Sequence, residues 1–228
     1  MILRDFEKYQ RLIKKDIHRE FSNGNISMTI KLLDCYADCT QKINNILRDD
    51  ELEIIMKEIS SKNIAASTKI NDGGDPNTVV LYDNIGTTAC LCVQYLKGLV
   101  ACGYRVAYIY ESTAPINDEL LAEVKKYSSE YYLFDSNNVI SQEGFLGQKI
   151  RDVIIGVNPS KIVAHLQATG ALCISVLNSI NGVKKFRIVP GDHHFYLGYD
   201  CFDYFIEFRP FGWSTAIYER NIPAEKIY

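Results

Sequence analysis

Short β-branched and aromatic runs alternate with helical segments from residue 78 onward, and this alternation constrains the fold more than any other feature. The runs occupy residues 78–82, 105–110, 131–134, 161–164, 185–189 and 204–207. Several are too apolar to have a solvated face, which indicates a parallel sheet covered on both sides. The sequence therefore predicts an α/β fold, a Rossmann-like, doubly wound parallel sheet of about six strands.

Residues 1–64 follow the helical period instead. Apolar side chains recur at steps of three and four residues in a first segment, at Phe6, Tyr9, Ile13, Ile17 and Phe21. The same spacing returns at residues 32–46 and 52–59, so three helices are predicted, with Asp49 or Asp50 capping the third. Turn-forming residues 71–77 follow. We predict a helical extension over residues 1–70 and a Rossmann-like domain over residues 71–228.

Composition excludes several classes of protein. The chain is 47% hydrophobic and 23% charged, and its formal net charge of −3 gives no basic footprint for nucleic acid. Seven cysteines are an odd number without a C-x-x-C pair, so neither a zinc site nor a disulfide framework is indicated. No apolar run approaches the roughly 20 residues of a membrane span. We expect a cytoplasmic protein without a transmembrane segment, with a peripheral position on the inner face of the membrane as an alternative.

The loop Asp83-Asn-Ile-Gly-Thr-Thr88 follows the first strand and precedes a helix. In a nucleotide-binding fold, this is where backbone amides at a helix N-terminus hold phosphate. Neither of the glycine-rich phosphate motifs is matched, which disfavours a dinucleotide dehydrogenase and a P-loop phosphotransferase. Asn84, Gly86 and Thr87 are candidate substrate-binding residues. The alternative is an ordinary strand-to-helix turn.

Three of the four histidines follow predicted strands. His165 comes directly after a strand, where it could act as a general base or merely cap the next helix. Pro190-Gly191 ends a later strand just before Asp192, His193 and His194. Neighbouring residues of an extended chain point to opposite sides, so a metal site is not predicted and His194 is expected to turn away from His193. Asp192 could orient His193 as a base, or simply cap a polar turn.

Glu207 and Arg209 flank Phe208 at the end of the last predicted strand and share one face. Together with His194, they are candidate substrate-binding residues. A structural ion pair between them is the alternative explanation.

A set of single residues at consistent spacing resembles the N-terminal domain of bacterial glycosyltransferases of the GT-B type. The likeness covers residues 78–228. Its residues are Leu81-Tyr-Asp-Asn84, Gln94-Tyr-Leu96, His165-Leu166, Asp192-His193, Phe195-Tyr-Leu-Gly198, Asp203-Tyr204, Glu207-Phe-Arg209, Gly212 and Arg220. Two departures are His194, where a small residue is expected, and Pro210, which interrupts the segment between Arg209 and Gly212.

The resemblance implies two facing Rossmann-like domains, with the acceptor held by the first and the nucleotide-sugar donor by the second. On this interpretation the chain is the acceptor side of a longer enzyme, its donor domain is missing, and the chain alone is expected to be inactive. The acceptor would be a bacterial surface polysaccharide or glycoconjugate, and no cofactor is expected beyond the nucleotide sugar. His193, or alternatively His165, would be the base, with Asp192 and His193 lining an open groove. A glycerol- or polyol-phosphate transferase and a non-catalytic binding or regulatory module are alternatives.

Overall fold

The computed structural model describes residues 2–43, 45–64, 70, 73–86, 91–141 and 144–228. Eight strands occur in these ranges: β1 (Asp75–Asp83), β2 (Arg105–Ser112), β3 (Glu130–Asp135), β4 (Ile140–Ser141), β5 (Gly144–Phe145), β6 (Pro159–His165), β7 (Lys184–Ile188) and β8 (Tyr204–Ile206). Six of them form one sheet in the order β3-β2-β1-β6-β7-β8, in which every neighbouring pair is parallel. The predicted Rossmann-like α/β fold is confirmed.

The strand order reverses between β1 and β6. From β1 the chain moves outward through β2 to β3, and it then returns to place β6 on the other side of β1. In open α/β sheets, a crevice forms at the carboxyl ends of the two strands where the order reverses. Asp83 and His165, the last residues of β1 and β6, are partners in the strand register at this point.

Helices cover both faces of the sheet. In chain order they are α1 (Ile2–Ser22), α2 (Ile26–Ile43), α3 (Asp50–Asn63), α4 (Leu91–Ala101), α5 (Asp118–Tyr127), α6 (Leu146–Val157), α7 (Ala171–Asn178) and α8 (Pro210–Tyr218), followed by a 3-10 turn at Ala224–Lys226. Among these described helices, none combines the length and the apolar character needed to cross a bilayer.

Strand β1 shows why the sheet strands read as continuous apolar runs. Val79 and Leu81 pack on one face in a cluster with α4 and α5. Val80 and Tyr82 pack on the opposite face, in the cluster to which α6 and α7 contribute. Successive side chains of a strand point to opposite faces, and here both faces are buried.

The three N-terminal helices form a further layer over the second face. α2 and α3 pack against α7. Ile17, Leu33 and Met56 are fully buried, and they belong to the same hydrophobic cluster as side chains of the sheet. The apolar stripe predicted for α1 is buried only toward its carboxyl end, since Phe6 and Tyr9 are 38% and 61% exposed.

The sequence pattern predicts a helix over residues 141–157, ended by Asn158-Pro159, but the helix begins later. β4 and β5 pair as a short antiparallel ladder, and α6 starts at Leu146. Gly144 adopts a φ of +107°, a backbone conformation outside the right-handed helical region that glycine tolerates best. The amide of Leu146 then donates to the carbonyl oxygen of Val139 at 2.8 Å, which closes the ladder onto the helix.

Candidate functional site

A pocket of about 430 Å³ lies at the carboxyl edge of the sheet, at the switch point between β1 and β6. The loops that follow β1, β6 and β7 all contribute to it, and α2 of the N-terminal layer adds Gln41. Its lining includes Ile85, Gln167, His193 and His194. We call this cavity the histidine pocket. It brings together loops that are about 20 to 110 residues apart in the chain, as expected for a parallel sheet whose strands end at one edge.

His193 faces solvent at the histidine pocket and begins a chain of contacts that passes through buried Asp192 to exposed Arg209. Its side chain is 50% exposed, and its Nδ1 lies 3.1 Å from Oδ1 of Asp192, a carboxylate that is almost fully buried. Arg209 holds the same carboxylate with two nitrogens, Nε at 2.8 Å from Oδ2 and Nη2 in contact with Oδ1. The carboxylate therefore fixes the imidazole ring from behind, and the guanidinium fixes the carboxylate.

The charge state of Asp192 follows from these contacts. Burial acts to raise its pKa, but the hydrogen bonds from Arg209 and His193 outweigh burial and hold the pKa below its ordinary value. An ionised carboxylate accepts a hydrogen bond, so Nδ1 of a neutral His193 carries the proton and Nε2 keeps its lone pair. This is the arrangement of an oriented general base.

His194 does not turn away from His193, and that prediction is wrong. The two ring centroids are 3.9 Å apart with a 60° angle between the planes. The chain is not extended at this point: the amide of His194 donates to the carbonyl oxygen of Gly191 at 3.1 Å, which closes a turn. Burial first, and then the neighbouring His193, lower the pKa of His194.

His165 is only 2% exposed and does not belong to the described lining of the histidine pocket. Its Nδ1 lies 3.0 Å from Oδ1 of Asp83. Asp83 also accepts hydrogen bonds from the hydroxyl of Tyr108 at 2.6 Å and from the amide of Ile85 at 3.0 Å. The pair thus joins the ends of β1 and β6 to the middle of β2, and its visible role is to hold the switch point together.

Among the described residues, Asp83, Cys92 and His165 form a group that could hold a metal ion, because one ligand atom of each lies within 4.8 Å of the others. All three are buried. The carboxylate of Asp83 is already satisfied by the tyrosine hydroxyl, the imidazole and backbone amides. A hydrogen-bond network therefore accounts for the cluster.

Asn84 and Gly86, in the loop after β1, make their contacts with other parts of the protein. Oδ1 of Asn84 accepts from the amide of Gln167 at 2.9 Å, and its Nδ2 donates to the carbonyl oxygen of Thr169 at 2.5 Å. Gly86 has a φ of +68°, and a Cβ there would lie 2.4 Å from the hydroxyl of Tyr110. Close packing, rather than approach to a ligand, thus requires this glycine. Thr87 lies outside the described residues.

A carboxylate that no sequence pattern indicated occupies the amino end of α7. Oδ1 of Asp34, from α2, accepts from the amide of Ala171 at 3.0 Å. Burial, opposed by the helix amides and reinforced by Glu111, raises the pKa of Asp34 to about 7. A helix N-terminus is a natural anion site, and here the protein fills that site itself.

Two buried arginines support the loop that carries the histidines. Nη2 of Arg220 donates to the carbonyl oxygens of Asp192 at 2.8 Å and His194 at 2.7 Å. The guanidinium groups of Arg187 and Arg220 lie 4.2 Å and 4.6 Å from the ring centroid of Tyr196. Arg187 lies on β7 together with Lys184 and Lys185, so no charge pattern in the sequence distinguished it.

Glu207 does not pair with Arg209, whose guanidinium binds Asp192 instead. Both carboxylate oxygens of Glu207 are buried without a hydrogen-bond partner among the described residues. Burial raises the pKa of Glu207 to about 7, and the nearby Asp192 adds to this effect while Arg220 opposes it. A Cβ on Gly212 would lie 2.4 Å from Oε2 of Glu207 and 3.0 Å from Oδ2 of Asp192, so this glycine makes room for both carboxylates.

Comparisons with known proteins give limited information. No protein-family model matches the chain, and no curated protein matches it. Among solved structures, a mutant of the O-GlcNAc transferase of Thermobaculum terrenum is similar, with a TM-score of 0.45 and 12% sequence identity. The similarity covers 93% of this chain and 40% of that structure's chain.

Proposed function

We propose that the histidine pocket binds the acceptor of a glycosyltransferase and that His193 is the base that takes the proton from the acceptor hydroxyl. One observation carries the proposal: a half-exposed imidazole in a switch-point pocket, with Nδ1 on a buried carboxylate that an arginine clamps with two contacts. Such a chain fixes both the ring orientation and the tautomer that a base needs.

The lining suits a neutral, hydroxyl-rich ligand better than a phosphate. Arg187 is the one arginine or lysine in the described lining; it is 1% exposed, and it donates to the carbonyl oxygens of Leu197 at 2.8 Å and Gln167 at 3.1 Å. The amino end of α7 is occupied by Asp34. A nucleotide diphosphate would need exposed cations or free helix amides, whereas a sugar needs groups such as the amides of Gln41 and Gln167. These features favour an acceptor site over a donor site.

In the proposed reaction, the acceptor hydroxyl attacks the anomeric carbon of a nucleotide sugar. The new C–O bond forms as the bond from that carbon to the diphosphate breaks, and the diphosphate leaves with the electron pair. Nε2 of His193 receives the hydroxyl proton, and Asp192 stabilises the resulting imidazolium. The sequence resemblance to the acceptor domain of GT-B enzymes supports this division of labour, in which another region of the protein supplies the donor.

The test uses the protein encoded by the complete gene and measures acceptor-dependent release of nucleoside diphosphate from nucleotide sugars. Loss of a general base costs about 10²–10⁴ in rate, so we expect His193→Gln and Asp192→Asn each to lower kcat by roughly that factor. His18→Gln is the matched control, since His18 on α1 is partly exposed, pairs with Glu51 and lies outside the described lining of the histidine pocket. Its rate should stay close to that of the unchanged protein.

His165 provides the test of the alternative base. Because its imidazole is buried on Asp83, we expect His165→Gln to lower the free energy of unfolding while the folded protein still transfers sugar. An unchanged kcat in His193→Gln would refute the proposal. A fall of kcat in folded His165→Gln as large as that in His193→Gln would also count against it.

A further inference from the structure

Exposed aromatic side chains concentrate near the carboxyl-terminal part of the chain. Five large rings there are between 45% and 76% exposed: Phe208, Phe211, Trp213, Tyr218 and Tyr228. Single exposed apolar side chains are ordinary on a protein surface, but a group of aromatic rings on one helix and its flanks marks a binding surface.

Three of these rings, those of Phe208, Trp213 and Tyr228, line a pocket of about 450 Å³. Polar groups from Glu207, Arg209 and Ser214 line it as well. We call this cavity the aromatic pocket. Tyr228 is held in place because its amide donates to the carbonyl oxygen of Phe205 at 2.8 Å and its carbonyl oxygen accepts from the amide of Glu207 at 2.8 Å. The aromatic pocket therefore combines fixed apolar faces with hydrogen-bonding groups.

The aromatic pocket is connected to the histidine pocket through a shared contact chain. Arg209 lines the aromatic pocket and holds the carboxylate of Asp192, and Asp192 holds His193, which lines the histidine pocket. Because Asp192 is ionised, it neutralises the charge of Arg209. Arg209 and Ser214 thus supply hydrogen-bond donors to an aromatic pocket that Glu207 also lines, and the charge of Arg209 is balanced by Asp192.

We propose that the aromatic pocket binds a second sugar unit of the acceptor, so that the acceptor is an oligosaccharide or polysaccharide and not a single sugar. This inference rests on the proposed function. The C–H face of a sugar ring packs on aromatic rings in the way other apolar groups do, while its hydroxyl groups bond to donors such as the guanidinium of Arg209. His193 and Arg209 are 50% and 59% exposed and both contact Asp192, so a chain whose reacting hydroxyl lies at His193 places its next sugar unit at Arg209.

The single tryptophan of the sequence lies in the aromatic pocket, so its fluorescence reports binding directly. We would titrate the chain with hexasaccharides of neutral, N-acetylated and uronic-acid sugars and with the matching monosaccharides. We expect at least one hexasaccharide to change the emission of Trp213 saturably, and its monosaccharide to need at least about tenfold higher concentration, since it cannot occupy two subsites.

Variants identify the rings responsible. Loss of one stacked ring should weaken the binding of that hexasaccharide by about tenfold in Phe208→Ala and in Tyr228→Ala. Tyr228→Phe keeps the ring and should keep the affinity. Tyr218→Ala is the matched control, because Tyr218 is more exposed and belongs to the same helix as Trp213 but lies outside the described lining of the aromatic pocket. Circular dichroism of each variant checks that it folds.

Two results would overturn the inference: no change of emission with any hexasaccharide at millimolar concentration, or equal weakening in Tyr218→Ala and Tyr228→Ala. Its failure can be told apart from failure of the proposed function. His193→Gln should abolish transfer and leave the Trp213 response intact. Transfer that depends on His193 without a Trp213 response refutes the aromatic subsite alone, and a Trp213 response with transfer independent of His193 refutes the catalytic proposal alone.

Discussion

Replacement of Glu53 by glutamine should change how stability depends on pH. Glu53, on α3, is 1% exposed, and its carboxylate accepts from the amides of Gly198 at 2.6 Å and Asp200 at 3.4 Å. These contacts tie the N-terminal layer to the loop that follows the candidate site. Burial raises the pKa of Glu53 from its ordinary 4.5 to about 7, although the two amides oppose the rise.

The sign and size of the effect follow from linkage. The folded chain binds this proton more tightly than the unfolded chain, so the corresponding stability is complete below pH 4.5 and is lost as the pH rises through about 7. At about 1.4 kcal/mol per pH unit, this interval corresponds to roughly 3 kcal/mol. Glutamine has a similar shape and no charge, so the variant lacks this loss.

The assay is urea unfolding at several values between pH 4 and pH 8, followed by circular dichroism. The free energy of unfolding of Glu53→Gln, relative to the unchanged chain, should rise by roughly 3 kcal/mol across this range. Other carboxyl groups titrate in both chains and cancel. Glu58→Gln is the control, since Glu58 lies on the same helix, is partly exposed and pairs with Lys62. A Glu53→Gln difference that does not vary with pH would refute the reasoning.

Three further substitutions test packing around the switch point by urea unfolding. Gly86→Ala should destabilise the fold by about 2 kcal/mol or more, because it combines a positive φ with a Cβ only 2.4 Å from the hydroxyl of Tyr110, and a neutral effect would contradict this. Gly98→Ala, on α4, meets no atom within 4 Å and should stabilise by about 0.5–1 kcal/mol, so a loss of stability would be unexpected. Tyr108→Phe removes a 2.6 Å hydrogen bond to buried Asp83 and should cost about 1–3 kcal/mol, whereas an unchanged midpoint would show that the bond is replaced.

The sheet was predictable from the sequence because its signal is local. Each strand lies between two covered faces, so an apolar run such as Val79–Tyr82 identifies it without reference to any other segment. The boundaries were less predictable. Residues 140–145 have no strong periodic pattern, and the positive φ of Gly144, which delays the start of α6, is not visible in the letters alone.

Within the site, the candidate residues could be predicted from the sequence, but their hydrogen-bond and ion-pair partners could not. It placed Asp192 beside His193, and the structure joins them; it did not indicate that Arg209, 17 residues away, would bind Asp192 in place of Glu207. The roles of His193 and His165 as bases remain predictions, although only His193 has an open face. The ring contact with His194 was missed because an extended chain was assumed where the backbone turns.

The sequence by itself determined the class of fold, the number of main strands and the loops that meet at one edge, since hydrophobic periodicity and turn residues depend only on each segment's own environment. Only the tertiary structure decided which polar groups meet: Asp83 with His165 across 82 residues, and Glu53 with Gly198 across 145 residues. The physical reason is that a buried polar group must find a partner somewhere in the folded chain, and the identity of that partner depends on the register between distant elements.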